Sequence, residues 1–131
     1  MDKKYFSIKE ANELLPTLEK EILSLQELQW EFKNILVQLK KIKEINVTTE
    51  QKEDNIFRLE SKLEFLELQG KLHIKNIENY GVQLKSIEMG LLDFPAILDG
   101  EEVLLCWKQG EDEITFYHGK REGFAGRRPL P

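Results

Sequence analysis

Six side chains in the last third of the chain have the chemistry for metal binding, nucleophilic catalysis or anion recognition: Asp93, Cys106, Glu111, His118, Arg127 and Arg128. Thiolate, imidazole and carboxylate groups are the usual protein ligands of zinc and iron. A cysteine with a histidine and an acid can form a nucleophilic triad, and paired guanidinium groups bind carboxylates or phosphates. The spacing of these residues decides among the three chemistries.

A metal site would draw its ligands from separate segments of the chain. The sequence contains no CxxC, no HxxxH and no helical Glu-x-x-His motif, and we therefore expect no cofactor. If a metal ion binds, we expect Cys106, His118 and Glu111 to hold it, with Asp93 and His73 as further residues of suitable type. His73 falls on a predicted helical seam, where a single histidine is more often a packed, hydrogen-bonded residue.

A predicted β-hairpin decides whether Cys106 and His118 can meet. The runs EEVLLCWK and EITFYH flank QGED, which predicts two strands joined by a turn centred on residues 110–111. In that register Val103 faces His118, and Cys106 lies on the opposite face of the sheet. A thiolate nucleophile also prefers a helix N-terminus or a turn to mid-strand. We interpret Cys106 as buried and inert, and we predict no catalytic residue.

The two arginines near the C-terminus have two interpretations. Arg127 and Arg128 follow two glycines in GFAGRRPLP, so the tail can turn back across the sheet. One arginine would then pair with Glu111 or with Asp93, which lies in an apolar stretch and needs a partner. An arginine held in this way is also oriented to bind an anion. The expected anion-binding or partner-binding site comprises Asp93, Glu111, His118, Arg127 and Arg128.

Two long helices precede these residues. Ser7 and Glu10 have the spacing of a capping box. Pro16 predicts a short or kinked first segment, with the long helix beginning at about Thr17. A second helix is predicted from Thr49, after a short polar loop, so the two helices form an antiparallel hairpin.

The apolar faces of both helices are wider than the other helix can cover. Apolar residues repeat every seven positions in the first helix, at Leu18, Leu25, Phe32 and Leu39. In the second helix Phe65, Leu68 and Leu72 lie outside the corresponding seam. We expect the C-terminal part to cover some of this surface, and two copies to pair through the helices into a four-helix bundle, a homodimer with coiled-coil packing.

The predicted fold is α+β in a single domain spanning residues 1–131. Residues 1–80 form the long antiparallel helical hairpin. Residues 81–131 form a small antiparallel β-sheet of about three strands with a fold-back C-terminal tail. Seven of the eight glycines lie from Gly81 onward, which fits this division.

Composition excludes several classes of protein. The formal net charge of −5 disfavours nucleic-acid binding. One cysteine cannot form an internal disulfide bond, which excludes a disulfide-stapled secreted domain. No apolar run is long enough for a membrane span and no signal peptide is evident, so we expect a cytoplasmic protein without a membrane partner.

Four segments of the chain are recognisable: FSIKEANELLP, GLLDFPA, LCWKQGE and GFAGRRP. Together they resemble a bacterial family named DUF2203, and the resemblance covers nearly the whole chain. It implies a small cytoplasmic bacterial protein and brings no established activity. The chain departs from the family pattern at Tyr117, where tryptophan is frequent, and at Gly119, where an acidic residue is common.

The expected function is that of a non-enzymatic, dimeric interaction or structural protein, with a candidate anion or partner site on the C-terminal unit. The alternative is a small metal-dependent or acid/base enzyme. Its site would be built from Asp93, Cys106, Glu111, His118 and Arg127.

Overall fold

Two long helices are followed by an antiparallel sheet, which confirms the predicted α+β class. The computed structural model describes residues 3–131. The helices are α1 (Ile8–Lys43) and α2 (Glu50–Asn79). The strands are β1 (Gln83–Ser86), β2 (Leu91–Leu98), β3 (Glu101–Lys108), β4 (Phe116–Gly119) and β5 (Arg128–Pro129), with a 3-10 turn at Phe124–Gly126.

Helix α1 begins at Ile8 and is continuous through Pro16, so the predicted start of the long helix at about Thr17 was wrong. The capping box is present, because the Ser7 hydroxyl accepts from the Glu10 N–H and the Glu10 carboxylate accepts from the Ser7 N–H. Proline removes one helical hydrogen bond, and its ring crowds the carbonyl group four residues earlier. The buried side chains of Leu15 and Leu18 on both sides of Pro16 hold the helix against the sheet.

Helix α2 begins as predicted and ends at a glycine turn. The Thr49 hydroxyl accepts from the Lys52 N–H and caps the first turn. Gly81 follows the helix with a φ of +88°, in the region that favours glycine. A Cβ atom at Gly81 would also lie 2.9 Å from the Lys4 Cβ, so this turn has no room for a side chain.

The hydrophobic core has two parts. The larger part lies between the helices and one face of the sheet and includes Leu18, Ile22, Ile77, Phe94 and Trp107. The smaller part lies between the far halves of α1 and α2, where four buried residues meet: Ile35, Leu39, Leu59 and Leu66. The sheet covers only the first part. In the far half of the hairpin, the two helices pack only against each other.

The sheet has five strands in the described residues, rather than about three. Their order follows the chain, β1-β2-β3-β4-β5, and every neighbouring pair is antiparallel. The tail supplies the fifth strand, and the Leu130 N–H donates to the Thr115 carbonyl oxygen at 2.8 Å. The predicted fold-back tail is therefore confirmed. Two strands were missed because each is only two to four residues long.

Strand β2 tolerates Pro95 although it lies between β1 and β3. Strand β1 reaches only as far as Asp93, so β2 has no neighbouring strand on that side at Pro95. The Pro95 carbonyl oxygen accepts there from the Phe6 N–H at 2.7 Å. The missing N–H of the proline therefore costs no ladder hydrogen bond.

The register of β3 with β4 differs by one residue from the predicted register. Val103 pairs with Gly119, and Leu104 pairs with His118. The strands are joined by residues 109–115 rather than by a two-residue turn, and Ile114 leaves the ladder to enter the core. A one-residue shift moves every side chain to the other face. The prediction that Cys106 and His118 lie on opposite faces was therefore wrong.

No helix within residues 3–131 has both the length and the apolar content required to cross a membrane.

Candidate functional site

The outer face of the sheet, turned away from the helices, carries a buried polar cluster. Asp93 of β2 pairs directly with Cys106 of β3, and His118 of β4 lies next along the same face. All three residues are at most 3% exposed. One ligand-type atom from each lies within 4.8 Å of the other two. The strand register therefore assembles a carboxylate, a thiol and an imidazole from three adjacent strands.

His118 is held through both of its ring nitrogens. Its Nδ1 atom lies 2.8 Å from the Gly119 carbonyl oxygen. Its Nε2 atom lies 3.1 Å from both carboxylate oxygens of Asp93. A carbonyl oxygen can only accept, so Nδ1 carries a proton and Nε2 faces the carboxylate. We expected Arg127 or Arg128 to be the partner of Asp93. In the structure the partner is His118.

This arrangement does not form a thiol nucleophile with its base. In such a pair one imidazole nitrogen must be free to take the thiol proton, while an acid orients the other. Both nitrogens of His118 already face oxygen atoms. Burial, followed by the charge of Asp93, raises the pKa of the Cys106 thiol to about 11, although Arg127 acts in the opposite direction.

Arg127 and Glu111 form an ion pair beside Cys106. The Arg127 Nη2 atom lies 2.8 Å from Glu111 Oε2, and Nη1 donates to Oε1 at 3.1 Å. The guanidinium carbon lies 4.0 Å from the ring centre of Phe116 and 4.4 Å from that of Phe124. Two aromatic faces and a two-point carboxylate contact fix this arginine.

Glu111 also closes the loop between β3 and β4. Its carboxylate accepts from the Lys108 N–H at 2.7 Å, and its carbonyl oxygen accepts from the Trp107 indole N–H at 2.9 Å. Glu111 therefore connects the loop to the tail through Arg127, and it is not among the three ligand-type groups that lie within 4.8 Å of one another.

Arg128 pairs with a residue that sequence reasoning missed. Its Nη2 atom donates to Glu122 at 2.9 Å, and the same carboxylate accepts from the Gly119 N–H at 2.8 Å. The three-residue spacing from Gly119 to Glu122 was the available signal, since an acid there can close a turn. Both guanidinium groups thus have carboxylate partners. Anion or partner binding at Asp93, Glu111, His118, Arg127 and Arg128 stays a prediction.

His73 lies in the helical hairpin and not at this site. Its Nδ1 atom lies 2.6 Å from Glu21 Oε2, which links α2 to α1. This agrees with a packed, hydrogen-bonded histidine on the seam.

A cavity of about 190 Å³ opens beside the Asp93, Cys106 and His118 cluster. Apolar side chains of Leu91, Leu104 and Phe124 line it, together with the charged residues Lys85, Lys120 and Glu122. The cavity is large enough for several water molecules or a small ligand.

The fold and site define a class: an α+β protein with a helical hairpin, a meandering sheet, and a buried acid–thiol–imidazole cluster on the outer face of that sheet. Residues 4–130 match the family model described as "Uncharacterized conserved protein (DUF2203)". The chain belongs to this family. No curated protein and no solved structure matches the chain.

Proposed function

We propose that the protein is a non-enzymatic homodimer of the bacterial cytoplasm that acts as a structural or interaction protein. The observation that carries this proposal is an apolar stripe on the outer face of α2. Its four members are 60–73% exposed: Phe57, Phe65, Leu68 and Leu72. The single buried free cysteine is compatible with a reducing compartment.

The spacing of this α2 stripe places all four side chains on one helical face, with Phe65, Leu68 and Leu72 adjacent and Phe57 about two turns away. Side chains three, four, seven and eight positions apart lie on one helical face. The buried residues Leu59 and Leu66 of α2 lie on the opposite face, against α1. Neither α1 nor the sheet covers the stripe. Contiguous exposed apolar surface of this kind is typical of a protein–protein interface.

The charges beside the α2 stripe favour an antiparallel second copy of α2. On one flank, Glu53 and Glu60 lie in the first half of the helix, and Lys71 and Lys75 lie in the second half. A two-fold axis near Phe65 would place Glu60 of each copy beside Lys71 of the other copy. These exposed pairs add little affinity, but they select the orientation of the helices.

A second exposed row on α1 is shorter. It contains Leu23, Trp30 and Val37, which are 51–67% exposed. It has fewer members than the α2 stripe and provides a matched control surface on the same hairpin.

The oligomeric state tests the proposal. We expect light scattering coupled to gel filtration to give the mass of a dimer for the native chain. Phe65→Glu should give a monomer, because a carboxylate would be buried at the centre of the interface. Trp30→Glu, at an equally exposed aromatic residue on α1, should stay dimeric. A monomeric native chain, or dissociation by Trp30→Glu alone, contradicts the proposal.

A charge exchange tests the orientation separately. Lys71→Glu should weaken the dimer, since the new acid would face Glu60 of the second copy. Adding Glu60→Lys should restore the dimer by reversing both charges. Sedimentation equilibrium at low and high salt measures both effects. Equal dissociation constants for the single and double variants would exclude the antiparallel arrangement.

A further inference from the structure

We propose that Asp93, Cys106 and His118 bind a divalent transition-metal ion of the zinc class, with a fourth coordination position open to the neighbouring cavity. This inference concerns the sheet and is independent of the proposed helical dimer. It rests on the geometry of the three ligand groups, on the orientation of the imidazole ring and on the local balance of charge.

The three groups have a suitable separation. In a tetrahedral zinc site the bonds are about 2.0–2.3 Å long, so ligand atoms lie roughly 3.3–3.8 Å apart. In this cluster the ligand atoms all lie within 4.8 Å of one another, and His118 Nε2 lies 3.1 Å from the Asp93 oxygens. Small side-chain rotations are enough to place these atoms around one ion. Carboxylate, thiolate and imidazole together suit zinc better than magnesium or calcium.

The His118 ring is oriented as a metal ligand. A ligating histidine usually donates its second ring N–H to a carbonyl or carboxylate oxygen. The Gly119 carbonyl oxygen accepts this bond from Nδ1 at 2.8 Å. The Nε2 lone pair of neutral His118 then faces two carboxylate oxygens at equal distance. Acceptor atoms in this arrangement require either a proton or a cation between them.

Local charge also favours a cation with two positive charges. The Asp93 carboxylate and a Cys106 thiolate together neutralise a divalent ion, and His118 remains neutral. When the sulfur–metal bond forms, the thiol S–H bond breaks and its proton passes to solvent. Arg127 lies near Cys106, but Glu111 neutralises it at 2.8 Å. Lys85 and Lys120 also line the cavity, and Lys120 pairs with Glu102 at 2.8 Å. A buried carboxylate without a cationic partner would be costly.

The cavity supplies the open position. It contacts Asp93, Cys106 and His118 on one side and Leu91, Leu104 and Phe124 elsewhere. Three protein ligands with one open position are the arrangement of catalytic zinc sites, in which water takes the fourth place. The cavity of about 190 Å³ has room for that water and for a small additional ligand.

Cobalt titration of the native chain tests the proposal directly. The protein is purified without a histidine tag, treated with a chelator, and then titrated with Co²⁺. We expect one equivalent to bind, with a thiolate-to-cobalt charge-transfer band and the strong visible absorption of a tetrahedral site. Zn²⁺ should displace the cobalt and remove both signals. If the folded native chain shows no charge-transfer band, the proposal is wrong. A proton, rather than a metal ion, then lies between His118 and Asp93.

Variants assign the ligands. Cys106→Ser should abolish the charge-transfer band, and Asp93→Asn should weaken Co²⁺ binding at least about tenfold. His73→Gln removes the other histidine of the chain and should leave affinity and spectrum unchanged. Circular dichroism of each chelated variant checks its folding. If Cys106→Ser and Asp93→Asn do not fold, the spectrum of the native chain decides. Loss of the band in His73→Gln, or its retention in Cys106→Ser, contradicts the assignment.

Discussion

His118 Nε2 lies 3.1 Å from both carboxylate oxygens of Asp93, and strand β3 separates the strands that carry the two residues. The two side chains are 3% and 5% exposed, so water screens their interaction little. A carboxylate in this position without its imidazole would be an uncompensated buried charge. The pair therefore links β2 to β4 across the central strand β3.

Removal of the Asp93 carboxylate should be strongly destabilising. In metal-free protein we expect Asp93→Ala to lower the free energy of unfolding by about 3–5 kcal/mol, because His118 loses its buried partner. Urea denaturation followed by circular dichroism measures this change.

The His73–Glu21 pair provides the control for Asp93→Ala. It is shorter, at 2.6 Å, but its side chains are 30% and 20% exposed. We expect Glu21→Ala to cost about 1 kcal/mol or less, since solvent screens the pair. Equal costs for Glu21→Ala and Asp93→Ala would show that burial does not set the strength of these pairs.

Local signals in the sequence predict the helices well. The caps at Ser7 and Thr49 depend on neighbouring residues only, and both appear where their spacing indicates. The predicted break at Pro16 did not appear, because packing against the sheet outweighs the loss of one hydrogen bond. Such packing is not visible in the local sequence.

The register of the β3–β4 hairpin could not be predicted, and the candidate site depends on it. Ile114 leaves the ladder and its N–H donates to the Asn12 side chain at 2.7 Å, across a separation of 102 residues. A partner so distant leaves no local signal. Asp93, Cys106 and His118 lie together, and the Glu111–Arg127 pair lies beside Cys106, but the pairing within this set had to come from the structure.

Arg127 should contribute more stability than Arg128, although the two are adjacent. Arg127 contacts two aromatic rings and its side chain is 18% exposed, whereas Arg128 contacts one ring, that of Tyr117 at 4.9 Å, and its side chain is 54% exposed. We expect Arg127→Ala to cost about 2 kcal/mol and Arg128→Ala less than about 1 kcal/mol. Urea denaturation measures both changes.

Arg127→Lys separates charge from shape at the same position. Lysine keeps the positive charge but lacks the planar group that stacks on the rings and makes two bonds to Glu111. We expect it to recover less than half of the stability lost in Arg127→Ala. Full recovery would mean that charge alone holds the tail.

Cys106 should resist alkylation in the folded, metal-free chain. The side chain is 1% exposed, and a thiol with a pKa of about 11 is ionised in only about one molecule in a thousand at pH 8. Mass spectrometry after treatment with iodoacetamide should show unmodified native protein. The urea-unfolded chain, as the control, should be fully modified in the same time. Equal modification of both forms would show that the thiol is accessible.

The capping box of α1 should lose stability in acid within a defined range of pH. Hydrogen bonds from Lys4 and then from the Ser7 backbone lower the pKa of Glu10 to about 2. Because the pKa in the folded chain lies below the ordinary value of about 4.3, the stabilisation is complete above that value. It is lost as the pH falls from about 4.3 to about 2. We therefore expect Glu10→Gln to lower the urea midpoint at about pH 7 and to match the native chain near pH 2.

Glu13→Gln alters only an exposed pair with Lys9, at 4.0 Å, and should shift the midpoint little at either pH. A Glu10→Gln effect that is equally large in acid would show that the carboxylate charge does not stabilise the start of α1.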